Sequence, residues 1–230
     1  MSTVDELLAL GDDALIAAQR LGEWSARAPE MEEDIALANI ALDQLGAARM
    51  LLTYAGELSD PPRTEDDLAF LRDDREFRNC LLVELPEADF GVTVAKLLFL
   101  SACQKLRYEA PGSDERLAGI AAKTVKESAY HLDHSTLWTV RLGDGTEESH
   151  RRMQAAVDGL WPYTHELFED NDLRGSWLST VEPVLAEATL DRPADGWAPT
   201  GGRRGLHTEH LSLLLAEMQV LHRAHPGARW

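Results

Sequence analysis

Histidines and carboxylates at helical spacing are the residues of this chain best placed to do chemistry, and that pattern would serve metal-assisted oxidation. A di-iron centre in a helical bundle takes one carboxylate from each of two helices and a Glu-x-x-His pair from each of the other two. Residues three apart project to one side of a helix and so reach a shared metal. Glu-x-x-His occurs once, as Glu147 with His150, beside Gly143-Asp144-Gly145, and Asp-x-x-His does not occur. Lying outside the long helices, that pair reads as a chance match. His131 and His134 are also three apart, with Asp133 pointing elsewhere on the helix. A shared metal competes there with one inward and one surface histidine. His207, Glu209 and His210 open the last helix, where capping and hydrogen bonding compete with ligation. His222 and His225 fall near a C-terminal helix end, where the dipole favours them. The chain has no His-Glu-x-x-His, no phosphate loop and no Gly-x-Ser-x-Gly elbow.

The elements that must position these residues read as helices, because period-2 alternation with β-branched enrichment is almost absent. A first helix is expected from about Val4 to Trp24, with Leu8, Leu15 and Ile16 buried. Pro29 suits the first position of a second helix reaching Leu58, with Glu30, Glu32, Glu33 and Asp34 in its opening turn. In that helix Ile35, Ala38, Leu42, Leu45 and Leu52 form one stripe, and Ile40, Ala47 and Leu51 another. Apolar residues on more than one side predict a helix inside a bundle. Thr64 and Asp67 form a capping box for a short helix through Leu71, and 73–85 is ambiguous. Asp89 caps a third long helix to about Glu109, and Ser113 a fourth of some 29 residues, roughly 43 Å, to Leu142. Auxiliary helices are expected at about 147–169, 174–190 and 207–224, with a loop at 191–205. The expected fold is an all-α four-helix bundle with additional C-terminal helices, one domain over 1–230.

Composition narrows the function. The 230 residues are 44% hydrophobic and 27% charged, a globular profile able to bury a core. Forty acidic against 22 basic residues give a formal charge of −18, which repels phosphate backbones and anionic membrane surfaces. Nucleic-acid and membrane partners are therefore not expected. Cys80 and Cys103, with no CxxC, read as buried thiols in a reducing cytosol. The opening Met-Ser-Thr-Val-Asp-Glu carries no basic n-region. No apolar run reaches the ~18 residues of a membrane span; the longest, Val92 to Cys103, contains Lys96.

Polar residues lie among the apolar ones of the long helices: Asp12, Arg20, Glu23, Asn39, Asp43 and Arg49. Unpaired buried charge is costly, so those facing inward must pair. A buried polar network made of these six competes with solvated faces.

Three stretches carry a family resemblance. They are Leu21-Gly22-Glu23-Trp24-Ser25-Ala26-Arg27-Ala28-Pro29-Glu30 with Asp34-Ile35-Ala36-Leu37-Ala38-Asn39-Ile40-Ala41-Leu42-Asp43 and Leu45-Gly46-Ala47-Ala48-Arg49; Lys126-Glu127 with Tyr130-His131-Leu132; and Thr200-Gly201-Gly202-Arg203, Gly205-Leu206-His207-Thr208-Glu209-His210 with Leu215-Ala216-Glu217-Met218-Gln219. The chain resembles, over nearly its whole length, the C subunits of the phenylacetyl-CoA 1,2-epoxidases, which epoxidise an aromatic ring in aerobic phenylacetate breakdown. The resemblance implies a ferritin-like bundle in a bacterial multicomponent monooxygenase, without a catalytic site or cofactor of its own. It also implies a heterodimer, assembling further, with a paralogous A subunit that holds the di-iron centre, and a small B subunit and a flavin/iron–sulfur reductase in the same system.

Set against the A subunit's pattern, the ligand positions fall on Gln44 and Ala47 in the second helix, Leu98 in the third, and Ser128 and His131 in the fourth. The sixth falls near Ala14 in the first, beside Asp13. One imidazole cannot hold two irons, which need several charged oxygen donors. The resemblance thus implies a structural, cytoplasmic subunit with a degenerate di-iron site. The alternative is a stand-alone ferritin-like oxidase with an atypical metal site built from His131, Asp43 and Asp12 or Asp13. Arg203 and Arg204 in the Gly-rich loop form a candidate contact for CoA phosphates or a partner's acidic surface, against a solvated loop or internal ion pairs.

Overall fold

The structure, a computed structural model, describes residues 3–228. The fold is all-α and ferritin-like, with the four long helices expected and additional helices after them; among the described residues there is no strand. The expectation of one domain over 1–230 meets a chain that groups into two compact units, residues 1–86 with 200–230 and residues 87–199.

The first unit is built on a hairpin of α1 (Thr3–Gly22) and α2 (Met31–Leu58). The short connection lets them pack along their length, and the Asp34 carboxylate pins the turn by accepting from the Ala26 backbone N–H at 2.8 Å. Close approach needs Gly11, where a Cβ would lie 2.9 Å from the Leu52 side chain. α1 is buried on nearly every side from Leu7 to Ala18, including Asp12 and Asp13. After the Thr64–Asp67 capping box, whose reciprocal bonds are both made, comes a single wide turn, Asp67–Leu71. The ambiguous 73–85 stretch holds two short helical pieces, Asp74–Glu76 and α3 (Leu81–Glu84).

The second unit repeats the hairpin with α4 (Phe90–Glu109) and α5 (Glu115–Gly143), covered by α6 (Glu147–Leu160) and α7 (Arg174–Glu187). Its core holds Phe99, Trp161, Phe168 and Trp177 in tilted and edge-on ring contacts. The Trp177 indole donates to the Phe99 carbonyl at 2.9 Å. α8 (Glu209–Ala224) returns to the first unit, where Gln219 Nε2 donates to the Ala69 and Arg72 carbonyls.

Several expectations need correction. α2 begins at Met31, so Pro29 precedes the helix rather than opening it. Asp114, not Ser113, caps α5, its carboxylate accepting from the Leu117 N–H. The helix expected at 147–169 ends at Leu160 and tightens into a 3₁₀ stretch, Trp161–Phe168, because Pro162 cannot donate the next α-helical bond. The largest correction concerns α2. Ile40, Ala47, Leu51 and Leu52 are buried, but Ile35 is 58%, Leu42 64% and Leu45 43% exposed, and Ala38 is exposed too. Among the described residues nothing covers that face. Although no uninterrupted apolar run exists, α2 is by length and composition apolar enough to cross a membrane. Asp43 and Arg49 interrupt it, and its other face packs on α1.

Candidate functional site

The six positions to which the resemblance assigns lost ligands are all buried. Ala14, Gln44 and Ala47 belong to the first unit; Leu98, Ser128 and His131 belong to the second. Their side chains are two methyls, an isobutyl, an amide, a hydroxyl and one imidazole. Around the last two, the inner face of α5 carries short hydroxyls that satisfy themselves: Thr124, Ser135 and Thr139 donate to the carbonyls of Ile120, His131 and Ser135. Ser128 Oγ is buried without a hydrogen-bond partner. His131 is fully buried and His134 half-buried with its Nε2 inward, so neither is a surface histidine. Among the described residues no three His, Cys, Asp or Glu side chains come together as a metal site.

The strong electrostatics of the first unit lie instead in arginine–carboxylate pairs. Arg72 grips Asp12 with two nitrogens, one at 3.0 Å, and the Arg78 backbone N–H adds a third bond at 2.8 Å. Arg203 grips Asp13 at 2.9 and 2.7 Å and also donates to the Ala9 and Arg78 carbonyls. The Cys80 N–H donates to Asp13 as well. Glu84, with no exposed surface, accepts from Asn79 Nδ2 at 3.0 Å and the Thr208 N–H at 2.6 Å, and His207 Nδ1 lies 2.9 Å away. Arg20 donates to the Glu84 carbonyl and pairs with Glu23.

A buried polar network therefore exists, but only two of its six expected members lie in it. Asp12 and Arg20 belong to it; Glu23 pairs with Arg20 from an exposed position, Asn39 is exposed, Asp43 half-buried, and Arg49 bonds Glu65 at 3.4 Å from an exposed position. Arg72, Asn79 and Glu84 escape a reading of the sequence because they lie in short or irregular segments, where no periodicity marks a side chain as inward. The one usable signal is charge among apolar residues, as in Leu81-Leu82-Val83-Glu84.

The same bonds bear on the other candidates. Of the carboxylates of the alternative metal site, Asp12 and Asp13 already have both oxygens on arginines, and Asp43 is half-buried on α2. Arg203 faces inward, the internal ion pair that competed with a CoA contact, while Arg204 is exposed and donates to Thr200 Oγ1. His150 does not meet Glu147; its ring bonds the Gly143 carbonyl at 2.7 Å. His207 hydrogen-bonds just before α8, and Thr208 is the cap.

In the second unit Lys96 and Glu87 form a buried pair at 2.7 Å. Asp195 ties the long loop down, accepting from Trp161 Nε1, Arg174 and Arg192. Burial raises the Asp195 pKa, but those hydrogen bonds and both guanidinium charges outweigh it and bring the carboxyl down to about 2. Burial and the Arg174 charge push His165 below its usual value.

Known proteins are similar to this chain over nearly its whole length. A family described as "Phenylacetic acid catabolic protein" matches residues 1–230. The protein of Escherichia coli (strain K12) named as the C subunit of 1,2-phenylacetyl-CoA epoxidase is 45% identical over 241 aligned positions, covering 97% of this chain and 97% of that one.

Proposed function

Since this chain belongs to the phenylacetic acid catabolic protein family, we propose that it is the non-catalytic structural subunit of a phenylacetyl-CoA epoxidase. It pairs with and stabilises the paralogous subunit that carries the di-iron centre, in a cytoplasmic monooxygenase completed by a small further subunit and a reductase. The Escherichia coli relative's name, which makes it the C subunit of that enzyme, supports the assignment.

The carrying observation is the donor set at Ala14, Gln44, Ala47, Leu98, Ser128 and His131. These side chains are buried and include no carboxylate. Two irons need several anionic oxygens, so this set does not fit them, and no redox step runs through this chain. Its chemical contribution is mechanical: a helix face laid against the iron-bearing bundle restrains the helices that hold the ligands.

Co-expression tests the reading. The iron-bearing subunit made with this chain should be soluble and active, and made alone should lose yield and turnover together. If it is soluble and fully active alone, the structural role is wrong. Stoichiometric iron on the purified chain, lost on His131→Ala, would instead establish the atypical oxidase.

A further inference from the structure

The uncovered face of α2 follows a strict pattern. Met31, Ile35, Ala38, Leu42, Leu45 and Arg49 are spaced alternately by four and three residues, and buried Leu52 continues the spacing inward. That is the seam of a coiled-coil helix, on which such residues insert between those of a facing helix. Met31 is 75% exposed, and the exposed part of the seam, 31 to 49, is about 27 Å long at the helical rise. Its apolar part, Met31 to Leu45, is about 21 Å long, and an apolar stripe of that length is rarely left in water. Other exposed apolar residues are more scattered: Tyr130 and Leu137 on α5 are separated by exposed Asp133, and Leu213 and Val220 on α8 by exposed Glu217.

The C-terminal end of the seam opens into a cavity of about 290 Å³. Its walls are apolar, from Leu15, Leu52 and Phe70 among others, and its polar rim is Arg49, Glu65 and Asp66. Acidic groups also flank the seam at Glu32 and Asp34. Seam, flank and rim thus carry four carboxylates and one guanidinium, and that guanidinium already lies on Glu65. Charge this one-sided disfavours a second copy of the same surface and selects a cationic counterpart.

We propose that this α2 face docks one helix of the partner subunit, a helix with its own apolar stripe flanked by Lys or Arg. One long basic side chain enters the cavity, its stem on Leu15, Leu52 and Phe70 and its charge at Glu65 and Asp66. The inference rests on the proposed pairing with the iron-bearing subunit and specifies where that pairing occurs.

The test is affinity between the purified chains, with wild type, Leu42→Glu, the pair Glu65→Lys with Asp66→Lys, and Leu213→Glu as a control on α8. All four positions are at the surface or on the cavity rim, and circular dichroism and thermal melting should show each variant folded. Leu42→Glu should weaken pairing by about 30-fold or more, as loss of a central interface anchor does. The charge reversal should weaken it too and flatten its salt dependence, and Leu213→Glu should leave it unchanged. If wild type pairs but Leu42→Glu pairs equally well, or Leu213→Glu is the damaging change, the surface is misplaced while the subunit reading stands. If wild type does not pair at all, the subunit reading itself fails. Sedimentation of the isolated chain should show a monomer; a dimer dissolved by Leu42→Glu would make the occupant a second copy and overturn the proposal.

Discussion

Arg203 and Asp13 are 190 positions apart in the chain and share two hydrogen bonds, at 2.9 and 2.7 Å, with side chains less than a tenth exposed. The pair fixes the Gly-rich loop to the middle of α1, and Gly205 makes the fit possible. Its backbone is left-handed, at φ +74°, and a Cβ there would lie 2.1 Å from the Arg75 carbonyl oxygen. The return of the chain to its first unit therefore depends on a charge pair and a residue without a side chain.

Removing one member of that pair strands the other. Arg203→Ala should cost about 3–5 kcal/mol in urea unfolding, because Asp13 keeps its burial but loses its counter-charge. Asp13→Asn with Arg203→Met should recover part of that loss. A cost under about 1 kcal/mol for the single change would show that the pair is solvated in solution.

Glu84 makes the next junction. It accepts from the Thr208 N–H while His207 approaches its other oxygen, joining α3 to the start of α8. Glu84→Gln keeps the shape, but its amide nitrogen can replace only one of two acceptor oxygens, so a buried donor loses its partner. The expected cost is about 1–3 kcal/mol. Amide exchange should speed up first in α8, where local release would begin; uniform acceleration across the chain would argue against this docking role.

Much of this architecture is legible in the sequence, and the failures have physical causes. The capping box at Thr64 and Asp67 and the Asp89 cap are readable because the oxygen and the N–H it serves are neighbours in the chain. The partners of Asp12 and Asp13 are not, because Arg72 and Arg203 reach them from irregular segments 60 and 190 residues away. The two stripes of α2 are both visible, but periodicity shows that a face is apolar without showing whether this chain or another covers it. The candidate ligand positions depend on resemblance, since Ala14 and Leu98 look like any core residues.

Restoring one carboxylate should be harmful rather than useful. Ser128 is buried and its hydroxyl is unpartnered, so Ser128→Glu brings a charge into a site with no metal to meet it. The expected loss is several kcal/mol by chemical unfolding, with no gain in bound iron when the variant is grown in iron. Recovery of stability by added ferrous iron would contradict the proposed loss of metal binding.

Acid should loosen the second unit through Asp195. Its folded pKa, about 2, lies below the ordinary 3.8, so its stabilisation is present above pH ~4 and is lost as pH falls toward 2. His165 acts in the same direction. Its pKa is lowered in the folded chain, so protonation favours the unfolded state as pH drops below 6.5. Asp195 is partly exposed, which screens its ion pairs, and Asp195→Asn should cost only about 1 kcal/mol at pH 7. The gap between wild type and Asp195→Asn should close between about pH 4 and pH 2 in denaturant unfolding. NMR titration gives an independent check: the Asp195 charge raises the His165 pKa, so Asp195→Asn should lower it further. A gap constant down to about pH 2.5, or a His165 titration that moves upward, would show that Asp195 is not the group holding the loop against Arg174 and Arg192.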